Sequence, residues 1–513
     1  MATERTAAPL VILGMDAGDP DFIRQWAAQG YLPTIASIME RGSSSRTGGA
    51  ELLTEHGVWV SIFSGISRAQ HGYYYFRQLK PGTYDLQTVT GPDIDAPPFW
   101  SYLRGTGIKV AIIDAPDTRP YPGLAGIQLS DWATHNNWDP EHFKTAAEPP
   151  ELLADVRKNF GAKLTALENA ESTIDEDRQF YRQLLEQIEK KGALCRYLLA
   201  RDRFDLIVVV FSASHAANHQ FWRYRAGAAA EPTELSHAIR DVYHAIDREF
   251  GRILQQVSGD SNVFIVSSVG MEDHYPTTGL IDAFCRQLGY QASPDRRRVS
   301  LDPMDLARRL VPESWRVALS RRLPREKRER LLANQFMHGA DWSKTTAFAI
   351  PASYTSFIRV NLAGREPQGT VRRGADYRAV LERLESDLAR LIDADTGEKA
   401  VTTVARTVEL FQCEPHVSLP DLFVHWKPGR FMERVRHPKT ELTQKKPDFY
   451  RPSDHSRHGF VAAAGPSIKA QTQASDVEVL NLAPTFLSLL GEPVPPRMTG
   501  HPIPFQNAGG GSV

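Results

Sequence analysis

Leu206-Ile-Val-Val-Val-Phe-Ser-Ala-Ser-His-Ala-Ala-Asn-His-Gln-Phe-Trp222 is the stretch on which the fold reading turns. Its β-branched run is too short for a helix and stops at small polar residues, so it reads as a buried strand. His215 and His219 follow, four residues apart. On a helix that interval puts both side chains on one face, a common way of presenting two imidazoles to one metal ion. The same pair can equally be two half-buried histidines with hydrogen-bonded rings. In open α/β sheets the crevice beyond the carboxyl ends of the strands is where ligands bind, because the loops there are free of the packing that fixes the strands.

Outward from this stretch the pattern repeats. Residues 9–15 read as a buried first strand ending at Asp16-Ala-Gly-Asp-Pro20, where Asp16 is either a ligand or the cap of the next helix. Residues 109–114 and 262–267 are further strands, and residues 149–203 and 232–257 have helical patterns. Strands alternating with helices imply an α/β fold with a doubly wound, mostly parallel central sheet and helices on both faces. Residues 347–350, 355–361, 422–426 and 460–464 read as later strands, with helices over 377–392 and 477–490.

The alternation breaks between the two halves, in a helical, arginine-rich segment that includes Arg296, Arg308, Arg321 and Arg330. The expected organisation is therefore a core in two parts, residues 1–290 and 341–513, separated by a basic helical insertion over 291–340. That insertion is either a lid for an anionic substrate or a solvated basic face. Residues 509–513 read as a frayed tail.

With 513 residues, a large core is affordable, and a formal net charge of −1 gives no global attraction to nucleic acid or to an anionic membrane. Cys195, Cys285 and Cys413 are far apart and odd in number, which argues against a disulfide framework and fits a reducing compartment. The first apolar run is too short to span a bilayer. A cytoplasmic protein with a small-molecule substrate is expected.

Thr54 precedes an amphipathic helical pattern, where it either caps that helix or presents its hydroxyl at the positive helix end as a nucleophile. His56 in the same loop is a base, a ligand or a surface residue.

Together these pieces resemble the alkaline phosphatase superfamily, in particular its type I phosphodiesterase and nucleotide pyrophosphatase branch. The marks are Met15-Asp16, Trp59 with Phe63-Ser-Gly65 and His71-Gly72, His219-Gln-Phe-Trp222, Gly270-Met271, Asn361-Leu-Ala-Gly, His455 with Gly459, and Leu490-Gly-Glu-Pro. The resemblance implies two zinc or similar ions roughly 4 Å apart, with a Thr or Ser between them attacking phosphorus. Carried over residue by residue, it makes Asp16 and Thr54 the first-strand ligand and the nucleophile, and His219 and His455 ligands of one ion.

The chain departs from that pattern where the second ion would sit. His215 stands where the family has Asp, and Ser268-Val269 stand where it has Asp-His; Asp273-His274 lie on the far side of Gly270-Met271. The interval from Thr54 to Trp59 is one residue longer than the family's. The expectation is a metal-dependent hydrolase acting on a phosphoester or related group. Its one divalent ion, zinc by ligand type, would be held by His215, His219 and His455, with Asp16 nearby and His56 and Ser268 as accessory groups. Attack comes from Thr54 or from water activated at the metal. The alternatives are a non-catalytic binding protein on the same fold and a group transferase that uses Thr54 covalently.

Overall fold

The computed structural model describes residues 7–134, 143–164, 168, 171–225, 233–294, 325–447, 450–470 and 476–504. Its centre is a nine-stranded mixed sheet. In spatial order the strands are Val477–Glu478, Ser43–Gly48, Gly459–Ala464, Asn262–Ser267, Leu10–Met15, Leu206–Phe211, Lys109–Ile113, Ala125–Ser130 and Ala146–Glu148. The five from Asn262–Ser267 to Ala125–Ser130 run parallel. Leu10–Met15, Leu206–Phe211 and Asn262–Ser267 are buried throughout, which explains why their sequences are continuous apolar runs and not alternating ones. Helices cover both faces; among them Ile174–Leu199 packs on Ala238–Leu254, and Val58–Ser64 on Leu482–Leu489.

Of the later strands read from the sequence, Gly459–Ala464 joins this sheet, between Ser43–Gly48 and Asn262–Ser267, and the others do not. Ala347–Ile350, Ser356–Val360, Leu422–Trp426 and Val401–Arg406 form a separate four-stranded antiparallel sheet, in that order. The cause is the short link between Ile350 and Ser356, which allows a hairpin but not the crossover that parallel strands need. Apolar side chains gather there in clusters apart from the main core.

Of the basic insertion, residues 295–324 lie outside the described residues, and with them Arg296, Arg308 and Arg321; so does the tail at 509–513. Its end forms the helix Arg325–His338, where Glu329 accepts hydrogen bonds from Arg77. Among the described residues no helix is long and apolar enough to cross a membrane.

A two-stranded ribbon joins the end of the main sheet to the loop carrying His455. Gly270–Glu272 pairs antiparallel with Asp454–Ser456, setting Met271 opposite His455 and Glu272 opposite Asp454. A Cβ at Gly270 would lie 2.5 Å from Ser456 Oγ and 2.7 Å from Asp19 Oδ2, so only glycine permits the approach. Gly270-Met271 is thus the device that hangs His455 over the sheet.

Beside the ribbon, burial pushes His274 down to about 4, the Glu55 carboxylate opposing and Arg457 assisting. His425, on the strand Leu422–Trp426, is pushed down to about 3 by burial, then by Arg457 and His274. Both are neutral when folded and take up a proton near their ordinary value of about 6.5 once unfolded. Their contribution is therefore full above that pH and lost as pH falls towards 3 to 4. The thermal midpoint is expected to drop between pH 7 and pH 5, and to drop less in His425→Gln; an equal drop would assign the acid sensitivity to other groups.

Candidate functional site

Helix Ala213–Phe221 starts where the strand Leu206–Phe211 ends. One face is stapled to the end of the first strand: Ser214 Oγ donates to the Asp16 carbonyl at 2.7 Å, and Asn218 Nδ2 to the Ala17 carbonyl at 2.6 Å. Asn218 also meets Tyr243, whose hydroxyl accepts from the Asp19 amide. Asp19, not Asp16, caps the following helix, accepting from the amides of Asp21 and Phe22. That leaves the Asp16 side chain for the site.

His215 and His219 meet His455 there. The ring centroids are 4.8 Å apart for His215 and His219, 4.9 Å for His215 and His455, and 4.8 Å for His219 and His455. Nε2 of His219 and Nε2 of His455 are 3.2 Å apart. One nitrogen from each ring lies within 4.8 Å of the others, a spacing that suits one ion. Burial, opposed by Glu55 and reinforced by His215, pushes His455 down to about 3, so it is held neutral, the form that binds a metal. His219 Nδ1 faces Ser453 Oγ at 3.3 Å.

Asp16 stands behind this group. Its Oδ2 lies 3.2 Å from His215 Nδ1, while Oδ1 accepts from Trp59 Nε1 at 2.7 Å and from Ser268 Oγ at 3.2 Å. Trp59 reaches it across Gly14, where a Cβ would come within 3.2 Å of the indole. The contact makes Asp16 a carboxylate placed to orient the His215 ring through Nδ1. Ser268 Oγ also accepts from the Ala17 amide at 3.1 Å, and Val269 is buried in the main apolar core.

Thr54 lies elsewhere than the N-cap reading put it. Helix Val58–Ser64 begins after Gly57, with φ of 82°, and Thr54 ends a short turn over Ala50–Leu53. Its hydroxyl donates to the Tyr74 carbonyl at 2.7 Å and accepts from Arg68 Nη1 at 2.8 Å. Arg68 is fully buried and also bonds the Glu51 carbonyl, and Glu51 in turn accepts from Ser61, Ser67 and the Arg68 amide. This hydrogen-bonded web fixes the loop.

The next residue faces the histidines. Glu55, Asp454 and His455 each offer a ligand atom within 4.8 Å of the others. Glu55 Oε1 is 3.0 Å from His56 Nδ1, and the His56 ring packs edge-on against Tyr75 at 4.9 Å. Burial would raise the Glu55 carboxyl, but His56 and His455 hold it well below the usual carboxylate range. Burial, then the charge of Glu55, pushes Asp454 well above that range. Neither residue was singled out in the sequence, where each is one acid in a polar loop; the longer interval before Trp59 was the available signal for Glu55. Asp273 pairs with Arg225 and Trp222 instead of joining the cluster, while His274 packs on Tyr354.

Residues 10–287 match the family model described as type I phosphodiesterase / nucleotide pyrophosphatase. A search of curated proteins gave no match. Among solved structures, phosphonoacetate hydrolase from Sinorhizobium meliloti 1021 in complex with phosphonoformate is similar at 12% identity and a TM-score of 0.53, covering 94% of this chain and 95% of that one. Its complex with phosphonoacetate is similar at 13% identity over the same shares, also with a TM-score of 0.53. Murine ectonucleotide pyrophosphatase / phosphodiesterase 5 gives 12% identity and a TM-score of 0.48, covering 95% of this chain and 96% of that one. At such identities the two hydrolase complexes establish the fold alone, an α/β fold.

The Trp59 contact is open to test by stability. Trp59→Phe deletes a donor to a buried carboxylate, and a loss of about 1.5–3 kcal/mol in urea unfolding is expected. An unchanged midpoint would mean that Asp16 does not depend on the indole.

Proposed function

The chain belongs to the type I phosphodiesterase / nucleotide pyrophosphatase family, and on that premise we propose that it is a metal-dependent phosphoester hydrolase whose one tightly held divalent ion sits on His215, His219 and His455. The observation that supports this is the closure of three imidazoles, from two distant parts of the chain, around one point. Three neutral nitrogen donors suit zinc. Bound there, such an ion would supply Lewis-acid polarisation of a phosphoryl oxygen.

The chain's own residues do the rest. Asp16 holds the His215 ring at Nδ1, and Trp59 and Ser268 hold Asp16. Arg451, paired with Glu168 at 2.8 Å, lends positive potential beside His455 and favours an anionic small-molecule substrate. Attack by Thr54 would first have to break its bonds to Tyr74 and Arg68, so we assign Thr54 to holding the loop and the attacking group to water. Glu55, half-buried beside His455, is the carboxylate placed to orient the attacking water.

Kinetics on a diaryl phosphodiester separate these roles. His455→Ala is expected to lower kcat/KM by on the order of a hundredfold or more, and Thr54→Val by less than about tenfold. Comparable losses in both would return Thr54 to the attacking role. Absence of turnover on any phosphoester by metal-loaded wild type would favour the non-catalytic binding protein.

A further inference from the structure

We propose that Glu55 and Asp454, with His455 at their shared edge, form a second cation site for an oxygen-preferring divalent ion such as Mn2+ or Mg2+. The place is distinct from that of Ser268, whose hydroxyl bonds Asp16 and the Ala17 amide, and of Val269, which lies in the apolar core. It rests on the three-histidine reading only in assigning the other edge of His455 to a neighbouring ion.

Two independent observations carry it. Glu55 and Asp454 come from loops some 400 residues apart in the chain, roughly four-fifths of its length, yet their carboxylate oxygens converge with a His455 nitrogen within 4.8 Å. Two carboxylates so placed cannot both stay ionised unless a cation lies between them. In addition, Asp454 is 3% exposed and its Oδ1 has no hydrogen-bond partner among the described residues; His455 is 9% exposed and its Nδ1 has none either. A buried carboxylate oxygen without a donor costs folding free energy, and a hard cation is the ligand that removes the cost. Arg451, whose charge acts on Asp454, pairs with Glu168 at 2.8 Å.

The donor chemistry separates the two sites. Three imidazoles select zinc, whereas two carboxylates select Mg2+ or Mn2+, which keep water in their remaining positions. The two groups have one residue in common, His455, and the Glu55 and Asp454 carboxylates supply the negative charge that the three imidazoles lack.

Mn2+ is the probe, titrated into full-length zinc-loaded protein with free Mn2+ read by electron paramagnetic resonance. Wild type is expected to bind one Mn2+, and Glu55→Gln and Asp454→Asn to bind it roughly tenfold or more weakly with their zinc intact. The intact zinc shows that the variants are folded. His215→Ala should lose zinc and keep Mn2+ binding, so failure of the histidine centre and failure of this site give different results. Equal Mn2+ affinity in wild type and both carboxamide variants would overturn the proposal. Loss of zinc together with Mn2+ in both would also overturn it, by assigning the carboxylates to orienting His455.

Discussion

The Asp16 carboxylate is the point on which the site hangs. It ends the first strand, and both oxygens are engaged: one by the indole of Trp59 and the hydroxyl of Ser268, the other by His215. Those partners belong to the helix after the loop of Thr54, to the end of the strand Asn262–Ser267, and to the helix that follows Leu206–Phe211. One buried charge thereby holds three segments in register with the first strand. A carboxylate left without these donors would be costly in so buried a place, so packing and site geometry stand or fall together.

From that anchor the chemistry is graded across the crevice. On one side lie three imidazoles, with His455 held neutral by burial. On the other lie Glu55, held below the usual carboxylate range with His56 beside it, and Asp454, pushed above that range by burial and then by the charge of Glu55. Groups whose environments push their proton affinities apart are what acid and base chemistry requires. At Ser268 and Val269, where the resemblance implies ligands, this chain has a hydroxyl tied to Asp16 and an apolar side chain in the core. Charge has been withdrawn from one edge of the site and gathered at another.

Much of the frame was legible in the sequence. The strand Leu206–Phe211 and the four-residue interval between His215 and His219 follow from local pattern alone, because burial on both sheet faces selects a continuous apolar run. His455 is 236 residues from His219, and only the resemblance joined them. Thr54 was misplaced because a left-handed glycine, Gly57, starts the next helix and moves its first turn beyond the threonine. Glu55 and Asp454 were illegible for a different reason: a single acid in a polar loop looks the same whether it faces solvent or a histidine 400 residues away. The separate antiparallel sheet was hidden likewise, since strand pattern does not state which neighbour a strand will take.

The three-histidine centre is tested most directly by metal content per chain, measured by plasma mass spectrometry on untagged protein and on its His219→Ala variant. The expected result is about one zinc in wild type and almost none in the variant. Protein that carries no ion when handled without chelators, or a variant that retains the full complement, would contradict the assignment of these imidazoles to a metal.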